Sequence, residues 1–313
     1  MRALSFSSIN LYKECPQRFK FRYVDGIKEA PKSYFSFGQS VHKALEFLYR
    51  SQLMAPSLEE ILHYFETNWV RGGYASEKEE KLQFAEGSRI VRAFYAKHIA
   101  DWQPAFATEY SFNHHFDGVE VTGKIDRIDK LPTGELHVMD YKTGKSFAYW
   151  RPRQDEQLTL YQLATEAAFG LPVARLTLYH LPTLNPISVE RHPDTLVRGL
   201  RKEIIQVKSS IDKKIFDPKP EERKCLRCDY RPICPAWGNN DRPKTMTMKT
   251  TAQAALSASP AMPAESNPPT TAPPMSPQAA LENRVGQLEQ KVQELQGEIT
   301  RLRLLIADPA VKR

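Results

Sequence analysis

The sequence of 313 residues contains no apolar run long enough to span a bilayer, which argues against a membrane-spanning helix. Residues 1–5 lack the apolar core of a signal peptide, so we expect an intracellular, cytoplasmic protein. Cysteine is also scarce, with four residues in the whole chain. In a reducing compartment so few thiols argue against a disulfide framework, and their clustering indicates a metal site instead.

Charged residues make up 26% of the chain and hydrophobic residues 41%, as in a globular protein with a sizeable core. The formal net charge is +7 and the pI is about 9.1. A basic excess suits a polyanionic partner such as DNA, because the lysines and arginines that neutralise phosphates release counterions. The excess is modest, and many basic proteins never touch DNA.

Residues 119–143 predict a β-hairpin that carries two carboxylates and a lysine. Residues 119–131 alternate as a first strand, and residues 135–143 run out again as a second strand. Between them, residues 132–134 (Pro-Thr-Gly) supply the turn.

The length of that turn decides which residues of the hairpin face each other. A three-residue loop pairs Leu131 with Glu135, and the same register places Asp126 directly opposite Asp140. Lys142 shares a face with Asp140, because alternate residues of a strand point the same way. Two acids and an amine would then converge at one spot. A four-residue loop would shift this register by one residue.

The converging acids predict a divalent-metal site. Two carboxylates held close together repel each other and raise each other's pKa, and a cation between them removes that cost. Hard oxygen ligands suit Mg²⁺ or Mn²⁺, and Lys142 beside them can stabilise negative charge on a phosphate. This is the equipment for metal-assisted hydrolysis of a phosphodiester. The alternative is an exposed hairpin with ordinary surface charges.

Two further motifs flank the hairpin. Gly38-x-x-x-His42 opens an earlier helix, and Gln157-x-x-x-Tyr161 lies in residues 155–169, which have helical spacing. With Gly-x-x-Asp-Arg-Ile-Asp and Asp-Tyr-Lys-Thr-Gly-Lys in the hairpin, they give four motifs in a specific order. In this order and spacing the sequence resembles the RecB-like branch of the PD-(D/E)XK nuclease superfamily, over roughly residues 4–238.

The resemblance implies an α/β fold with a mixed central sheet flanked by helices, a helical insertion, and a metal-dependent DNA nuclease activity. It implies three metal-binding side chains and one backbone carbonyl as a further candidate ligand: His42, Asp126, Asp140 and Tyr141. It implies a catalytic lysine and two residues that position the strand or support the site: Lys142, Gln157 and Tyr161. Without the resemblance, His42 beside an apolar helix face would be a packing residue.

The periodicity predicts the remaining elements of the domain. Helices are predicted at 5–24 (broken at Cys15-Pro16), 38–50, 57–70, 77–100, 155–169 and 194–215. Further strands are predicted at 108–116, 173–179 and 187–190. Asp117-Gly118 is a strong hairpin turn signal. Glu109, near the start of the strand before that turn, could lie near the metal, but we expect a surface carboxylate.

Three of the four cysteines lie within ten residues, as Cys225-x-x-Cys228-x-x-x-x-x-Cys234. A four-thiolate site then needs Cys15, which would tie the first helix to the end of the domain. Zinc and a 4Fe–4S cluster both accept four thiolates. The resemblance favours 4Fe–4S with a structural role, because the same layout occurs in the AddB-type recombination subunit and in the nuclease of CRISPR spacer acquisition.

The composition divides the chain into a domain, a linker and a tail. Residues 1–242 form the predicted nuclease domain, residues 243–280 a disordered linker rich in Pro, Ala, Ser and Thr, and residues 281–307 a coiled-coil helix. Two apolar heptad rows support the coiled coil: Leu281, Leu288, Leu295 and Leu302 at d, and Val285, Val292, Ile299 and Ile306 at a. β-Branched residues at a with leucine at d favour a parallel homodimer through residues 281–306. The alternative is a helix that docks on this chain's own domain or on another protein.

We therefore expect a divalent-metal-dependent deoxyribonuclease, specifically a single-stranded DNA exonuclease of recombination or repair, with a helicase or another repair protein as a possible partner. A CRISPR spacer-acquisition nuclease is the alternative within the enzyme class. A DNA-binding or assembly module with an idle site is the alternative outside it.

Overall fold

The computed structural model describes residues 3–50, 54–144 and 146–237, together with Gln290 and Gln293. The three long ranges belong to one compact unit, Met1–Lys249. The predicted linker and the domain boundary at residue 242 lie outside the described residues. Of the predicted coiled coil only Gln290 and Gln293 are described, and both are helical and exposed. Among the described residues, no helix has both the length and the apolar character needed to cross a membrane.

Eight α-helices and six strands make up the described domain. The helices are α1 Phe6–Glu14, α2 Pro16–Phe19, α3 Ser33–Tyr49, α4 Leu58–Thr67, α5 Glu77–His98, α6 Glu156–Phe169, α7 Asp194–Asp212 and α8 Glu222–Cys225. The strands are β1 Leu4–Ser5, β2 Ala107–Phe116, β3 Val119–Lys130, β4 Leu136–Lys142, β5 Val173–His180 and β6 Asn185–Glu190. A π-helical turn, Lys20–Val24, continues α2.

The first predicted helix is interrupted where the sequence indicated. Helix α1 begins after Ser5, whose hydroxyl caps it, and ends at Glu14. Cys15 is extended, with φ −161°, and Pro16 then occupies the first position of α2. Because proline cannot continue a helix from the preceding turn, Cys15 is set at a corner between two helices.

The six strands form one mixed sheet, in the order β1-β3-β4-β5-β6, with β2 paired to β3. The β2–β3, β3–β4 and β5–β6 pairs are antiparallel, whereas β1–β3 and β4–β5 are parallel. Together with the helices packed on it, this sheet is the α/β architecture expected from the sequence. Helix α3 begins at Ser33, five residues before the predicted start, so Gly38 lies inside the helix rather than opening it. The two-residue strand β1 was not predicted.

Strands β3 and β4 have the predicted register. Leu131 N–H bonds the carbonyl of Glu135, and the ladder runs from Lys130–Leu136 to Arg127–Met139. Gly134 has φ +91°, the left-handed conformation that a short hairpin loop requires and that glycine adopts without strain. One step further along, the same register sets Asp126 against Asp140.

The sheet opens at that step. The ladder between β3 and β4 ends at Arg127–Met139 within the described residues, while β4 continues to pair with β5 as far as Lys142–His180. On the same edge of β3, strand β1 pairs further along, at Val121 and Thr122. The parting of β3 from β4 leaves a notch in the sheet that begins at Asp126.

Two apolar clusters cover the sheet. One joins the sheet to α1, α2, α6 and α7, and includes Ile125, Val138 and Leu158. The other joins α3, α4 and α5 to the sheet through Tyr141 and Tyr179. Since β4 alternates between these clusters, helices from both sides converge on its carboxyl end, where Asp140, Tyr141 and Lys142 lie.

Candidate active site

Asp126 lies at the point where β3 and β4 part. The backbone N–H of Tyr141 donates to its Oδ2 at 2.7 Å, so a side chain takes the place of a ladder partner. Its other oxygen, Oδ1, lies 3.2 Å from Nδ1 of His42. Asp126 is largely buried, with 13% of its side chain exposed. The carboxylate is therefore fixed in the notch by one contact from β4 and one from α3.

Helix α3 approaches the notch closely because it has a glycine at the contact. A Cβ atom on Gly38 would lie 3.0 Å from Oγ1 of Thr143, tighter than most such contacts. His42 follows Gly38 by four residues, which is about one helical turn. The Gly-x-x-x-His pattern thus brings the helix against the end of β4 and sets the imidazole beside Asp126.

Glu109 belongs to the same cluster, so the expectation of a surface carboxylate was wrong. One ligand atom each from His42, Glu109 and Asp126 lie within 4.8 Å of one another. Only 15% of the Glu109 side chain is exposed, and it forms an ion pair with Lys124. A signal for this was in the sequence. A two-residue turn at Asp117-Gly118 pairs Phe116 with Val119. The same register, continued along the hairpin, places Glu109 opposite Asp126.

Glu109 has an unusual backbone conformation for a strand residue. Its φ is +47°, in the left-handed region that side chains other than glycine rarely adopt. The pairs on either side of it, Thr108–Arg127 and Tyr110–Ile125, keep a common register. A strained residue held between intact ladder pairs is typical of a functional site, where the strain aims a side chain. Here the conformation accompanies a carboxylate that meets Asp126 and His42.

Asp140 begins a chain of polar contacts on the other side of the notch. Its side chain is 4% exposed, and its Oδ2 lies 2.6 Å from Nζ of Lys142. The same Nζ donates to Oε1 of Gln157 at 2.8 Å. Nε2 of Gln157 in turn donates to the hydroxyl of Tyr161 at 2.7 Å. The Gln-x-x-x-Tyr spacing on α6 therefore holds the lysine from the side opposite its own aspartate.

The carboxylates and the histidine shift one another's ionisation. Burial lowers the pKa of His42, but the charge and hydrogen bond of Asp126, together with the charges of Asp140 and Glu109, outweigh burial and raise that pKa to about 9. Burial raises the pKa of Asp126, but His42 and the Tyr141 N–H bring it below its ordinary value. Burial, opposed by Lys142 and reinforced by Asp126, raises the pKa of Asp140 to about 6. Lys142 therefore compensates the negative charge of the buried Asp140 carboxylate only in part.

The donor set fits a hard divalent cation. An imidazole nitrogen and two carboxylates already converge, and carboxylate oxygens are the ligands that Mg²⁺ and Mn²⁺ prefer. Asp140 lies outside that group of three, and its buried Oδ2 receives no hydrogen bond of good geometry. Burial raises the pKa of this carboxyl even beside the Lys142 ammonium, and a divalent cation would stabilise its charged form. Tyr141, a candidate carbonyl ligand, contributes its N–H to Asp126 in this structure.

All four cysteines line one cavity. Cys15, at the corner between α1 and α2, lines it with Cys225, Cys228 and Cys234. No three of the four sulfur atoms lie within 4.8 Å of one another. A single zinc ion holds its thiolates closer, with Zn–S near 2.3 Å and therefore sulfurs about 3.8 Å apart. The thiols are gathered as in a metal site, but more widely spaced than around one ion.

Comparison with known proteins gives bounds close to those of the described domain. Residues 3–235 match the family model of the PD-(D/E)XK nuclease superfamily. The gene 69 protein of mycobacterium phage D29 is 26% identical over 265 residues, which cover 74% of this chain and 96% of that protein. The gene 69 protein of mycobacterium phage L5 is 26% identical over 285 residues, with the same coverage of each chain.

A further relative is much larger than this chain. It is an ATP-dependent helicase/deoxyribonuclease subunit of Streptococcus uberis, 26% identical over 152 residues, which cover 46% of this chain and 14% of that protein. The similarity therefore concerns one segment of that protein.

Proposed function

The chain belongs to the PD-(D/E)XK nuclease superfamily, and on that premise we propose that it is a divalent-metal-dependent DNA nuclease. One observation carries the proposal. His42, Glu109 and Asp126 bring one ligand atom each within 4.8 Å of one another, and the Asp140–Lys142 pair lies in the same register at the parting of β3 and β4. Acids gathered at a strand end beside a fixed ammonium are suited to phosphodiester hydrolysis.

Mg²⁺ or Mn²⁺ would be held by His42, Glu109, Asp126 and Asp140, with the carbonyl of Tyr141 as a further candidate. When bound, the cation supplies Lewis-acid polarisation of the phosphate and lowers the pKa of water. The protein keeps the ligands in place beforehand. Tyr141 N–H fixes the Asp126 carboxylate, and Gly38 allows α3 to deliver His42.

Lys142 is the residue we assign to the developing charge on the phosphate. Its ammonium is held by Asp140 at 2.6 Å and by Gln157 at 2.8 Å, so it enters the reaction already oriented. A preorganised cation stabilises an oxyanion without waiting for solvent to rearrange. Gln157 and Tyr161 act through this lysine, since Tyr161 accepts from the amide that holds it.

The substrate we propose is single-stranded DNA, degraded exonucleolytically during recombination or repair. The basic balance of the chain, +7, suits a polyphosphate. One relative has the name of a helicase/deoxyribonuclease, and the similarity covers 14% of it. We propose a strand-separating helicase as a partner of this activity.

We further propose that Cys15, Cys225, Cys228 and Cys234 hold a structural 4Fe–4S cluster. Their common cavity supports a shared group, and the resemblance in cysteine layout favours a cluster over one zinc ion. Because Cys15 precedes α2 and the other three follow α7, the group would join the two ends of the domain.

The organisation beyond the domain is proposed from the sequence. Residues 1–242 would be the nuclease domain, residues 243–280 a flexible linker, and residues 281–306 a parallel two-stranded coiled coil that makes the protein a dimer. Light scattering should then give the full chain a dimer's mass and residues 1–242 a monomer's mass. A monomeric full chain at tens of micromolar would exclude the homodimer.

Cleavage of end-labelled DNA tests the proposed function. We expect the purified full chain with Mn²⁺ or Mg²⁺ to shorten single-stranded DNA stepwise from an end, and to be inactive without a divalent cation. A matched duplex and a circular single strand should resist. DNA binding without cleavage under all these conditions would instead support the idle DNA-binding module.

A further inference from the structure

Exposed aromatic side chains are concentrated at two places on the described surface. Of the five Phe, Tyr and Trp side chains that are exposed there, four form two sequence-adjacent pairs. Tyr34 is 59% exposed, Phe35 58%, Tyr149 70% and Trp150 65%. Large aromatic surfaces left in water mark binding sites when they cluster. The fifth, Phe106, is 42% exposed and stands apart from both pairs in sequence.

The first pair stands on the helix that carries His42. Tyr34 and Phe35 lie in the first turn of α3, with ring centroids 4.4 Å apart. Phe35 precedes His42 by seven residues, a spacing that returns to the same helix face within about 20°. The two residues are therefore about 10 Å apart along the helix axis. Phe35 thus shares the stripe of α3 that faces the active site.

The second pair stands on the loop that joins β4 to α6. Both roots of this loop belong to the site, since Lys142 at its start bonds Gln157 just after its end. Tyr149 and Trp150 form a turn closed by a hydrogen bond from Arg151 N–H to the carbonyl of Ala148. Trp150 precedes Gln157 by seven positions, which limits the distance between their Cα atoms to about 25 Å.

The loop is anchored beneath its exposed tip. His180 Nε2 lies 2.9 Å from the carbonyl of Gly144, and the ring of Phe147 packs on the His180 imidazole at 5.9 Å. Arg151 is paired with Asp155, the capping residue of α6. Phe147 is partly buried against the core, whereas Tyr149 and Trp150 are not. The same loop therefore contains one aromatic that packs and two that face solvent.

A contact at the site links the two elements that carry the pairs. Gly38, between Phe35 and His42 on α3, packs against Thr143, the residue after Lys142. That contact joins the helix bearing the first pair to the root of the loop bearing the second. Exposed arginines, Arg151 and Arg153, follow the second pair directly. Aromatic faces interleaved with cations beside a phosphate-cleaving site match the chemistry of an unpaired nucleic acid strand.

We propose that Tyr34, Phe35, Tyr149 and Trp150 form a stacking platform for the unpaired bases of the DNA strand whose backbone enters the active site. The inference rests on the proposed nuclease function and specifies its substrate. Every base has a π-face, so stacking binds a strand of any sequence. A duplex keeps its bases stacked inside and offers this surface only phosphates, so the platform selects single strands.

Binding of a fluorescent oligonucleotide tests the platform without requiring cleavage. Anisotropy of a labelled oligothymidylate is measured with the full chain in the absence of added divalent cation. We expect the double variant Tyr149→Ala/Trp150→Ala and the single variant Phe35→Ala each to bind about tenfold or more weakly than wild type. Binding to a duplex of equal length should change less than twofold.

Two controls separate stacking from general surface effects. Phe106→Ala removes the remaining exposed aromatic, which packs on Phe169 near the far end of α6, and should bind like wild type. An oligonucleotide with abasic sites should bind wild type at least as weakly as the normal strand binds the double variant. The double variant should lose less affinity than wild type on going to the abasic strand, because only Tyr34 and Phe35 remain to stack. Unchanged melting temperatures would show that the variants fold.

Kinetics keep this inference distinct from the nuclease proposal. In the double variant we expect KM for single-stranded DNA to rise about tenfold with kcat within twofold, because the platform does not touch the reacting phosphate. A wild type that binds through the platform but never cleaves would overturn the nuclease function alone. Cleavage by wild type with unchanged strand binding and unchanged KM in the double variant would overturn the platform, and would make the pairs a docking surface for another protein.

Discussion

The backbone N–H of Tyr141 donates a 2.7 Å hydrogen bond to the carboxylate of Asp126. This contact replaces the next step of the β3–β4 ladder and holds the two strands apart where Asp140 would otherwise face Asp126 directly. The same carboxylate contacts His42 at 3.2 Å through its other oxygen. One side chain therefore closes the ladder and begins the acidic cluster, which explains why the site lies where the sheet opens.

Glu109 should contribute to divalent-ion binding. Mn²⁺ at 100 times its Kd should stabilise the wild-type chain by about 2.7 kcal/mol, because an ion that binds only the folded state adds its binding free energy. Glu109→Gln removes one of three convergent ligands and should reduce the Mn²⁺-induced rise in melting temperature by at least half. Glu120→Gln, on the same hairpin and bonded to Asn113, should keep the full rise. An undiminished rise in Glu109→Gln would remove that residue from the ligand set.

Lys142 and Gln157 should differ in how much they matter for cleavage. Lys142→Ala removes the ammonium and should lower the single-turnover rate by about 10²–10³-fold, as when a preorganised donor is lost. Gln157→Ala leaves the ammonium bound to Asp140 and should cost roughly tenfold, as for residues that orient a functional group.

Two controls distinguish these effects from a simple loss of positive charge. One is binding of single-stranded DNA, and the other is substitution of a different lysine. Both variants should bind single-stranded DNA within twofold of wild type, and Lys130→Ala, at the exposed end of the neighbouring strand β3, should cleave normally. Equal rates for Lys142→Ala and wild type would show that the catalytic lysine has been misassigned.

His137 should make the domain less stable in acid. Burial lowers its pKa to about 3, and its Nε2 lies 2.7 Å from Oγ1 of Thr177. A depressed folded pKa stabilises the fold above the unfolded value near 6.5, and this contribution is lost as pH falls toward 3. His98, with its pKa lowered to about 4, acts in the same direction, while Asp140, raised to about 6, acts in the opposite one.

Urea unfolding at pH 7 and pH 4.5 isolates the histidine. Between these values wild type should lose about 2 kcal/mol more unfolding free energy than His137→Asn, which has no group to titrate at this position. A parallel pH dependence in the two proteins would show that His137 is protonated without cost in the folded state.

The cysteines should bind iron and should do so together. Anaerobically purified protein is expected to be brown and to hold about four irons per chain. Cys15→Ala should lose the colour as fully as Cys228→Ala and should lower the melting temperature, because the group joins α2 to the segment after α7. Stoichiometric zinc without iron would refute the cluster, and an intact cluster in Cys15→Ala would refute the role of Cys15.

Much of the sheet was predictable because local chemistry specifies it. The Pro-Thr-Gly turn defines the β3–β4 register, and Asp117-Gly118, with φ of +51° and +80°, defines that of β2 and β3. Glu109 was expected at the surface although the register of the Asp117-Gly118 turn places it opposite Asp126, and only its left-handed backbone has no sign in the sequence. Strand β1 was missed because two residues carry no periodicity, and its parallel pairing depends on how α1 packs.

Side-chain contacts between distant elements were also beyond the sequence. The motif order placed Lys142, Gln157 and Tyr161 in one site, but only the structure shows them as a relay of hydrogen bonds. The closeness of Gly38 to Thr143 likewise depends on packing of α3 over the sheet. Sequence spacing predicts which residues share a face of a helix or strand, whereas tertiary packing determines which faces are in contact.

Single-turnover cleavage by Asp126→Asn tests the central claim most directly. Asparagine keeps an oxygen for the Tyr141 N–H, so the fold should persist while the charge at the centre of the ligand set is lost. With Mn²⁺ and end-labelled single-stranded DNA, wild type and the exposed-turn variant Glu135→Gln should cleave alike. Asp126→Asn should be slower by about 10³-fold, the several kcal/mol expected when metal catalysis is disabled, with unchanged DNA binding and, without added divalent cation, an unchanged melting temperature. Cleavage by Asp126→Asn at the wild-type rate would contradict the assignment of this site.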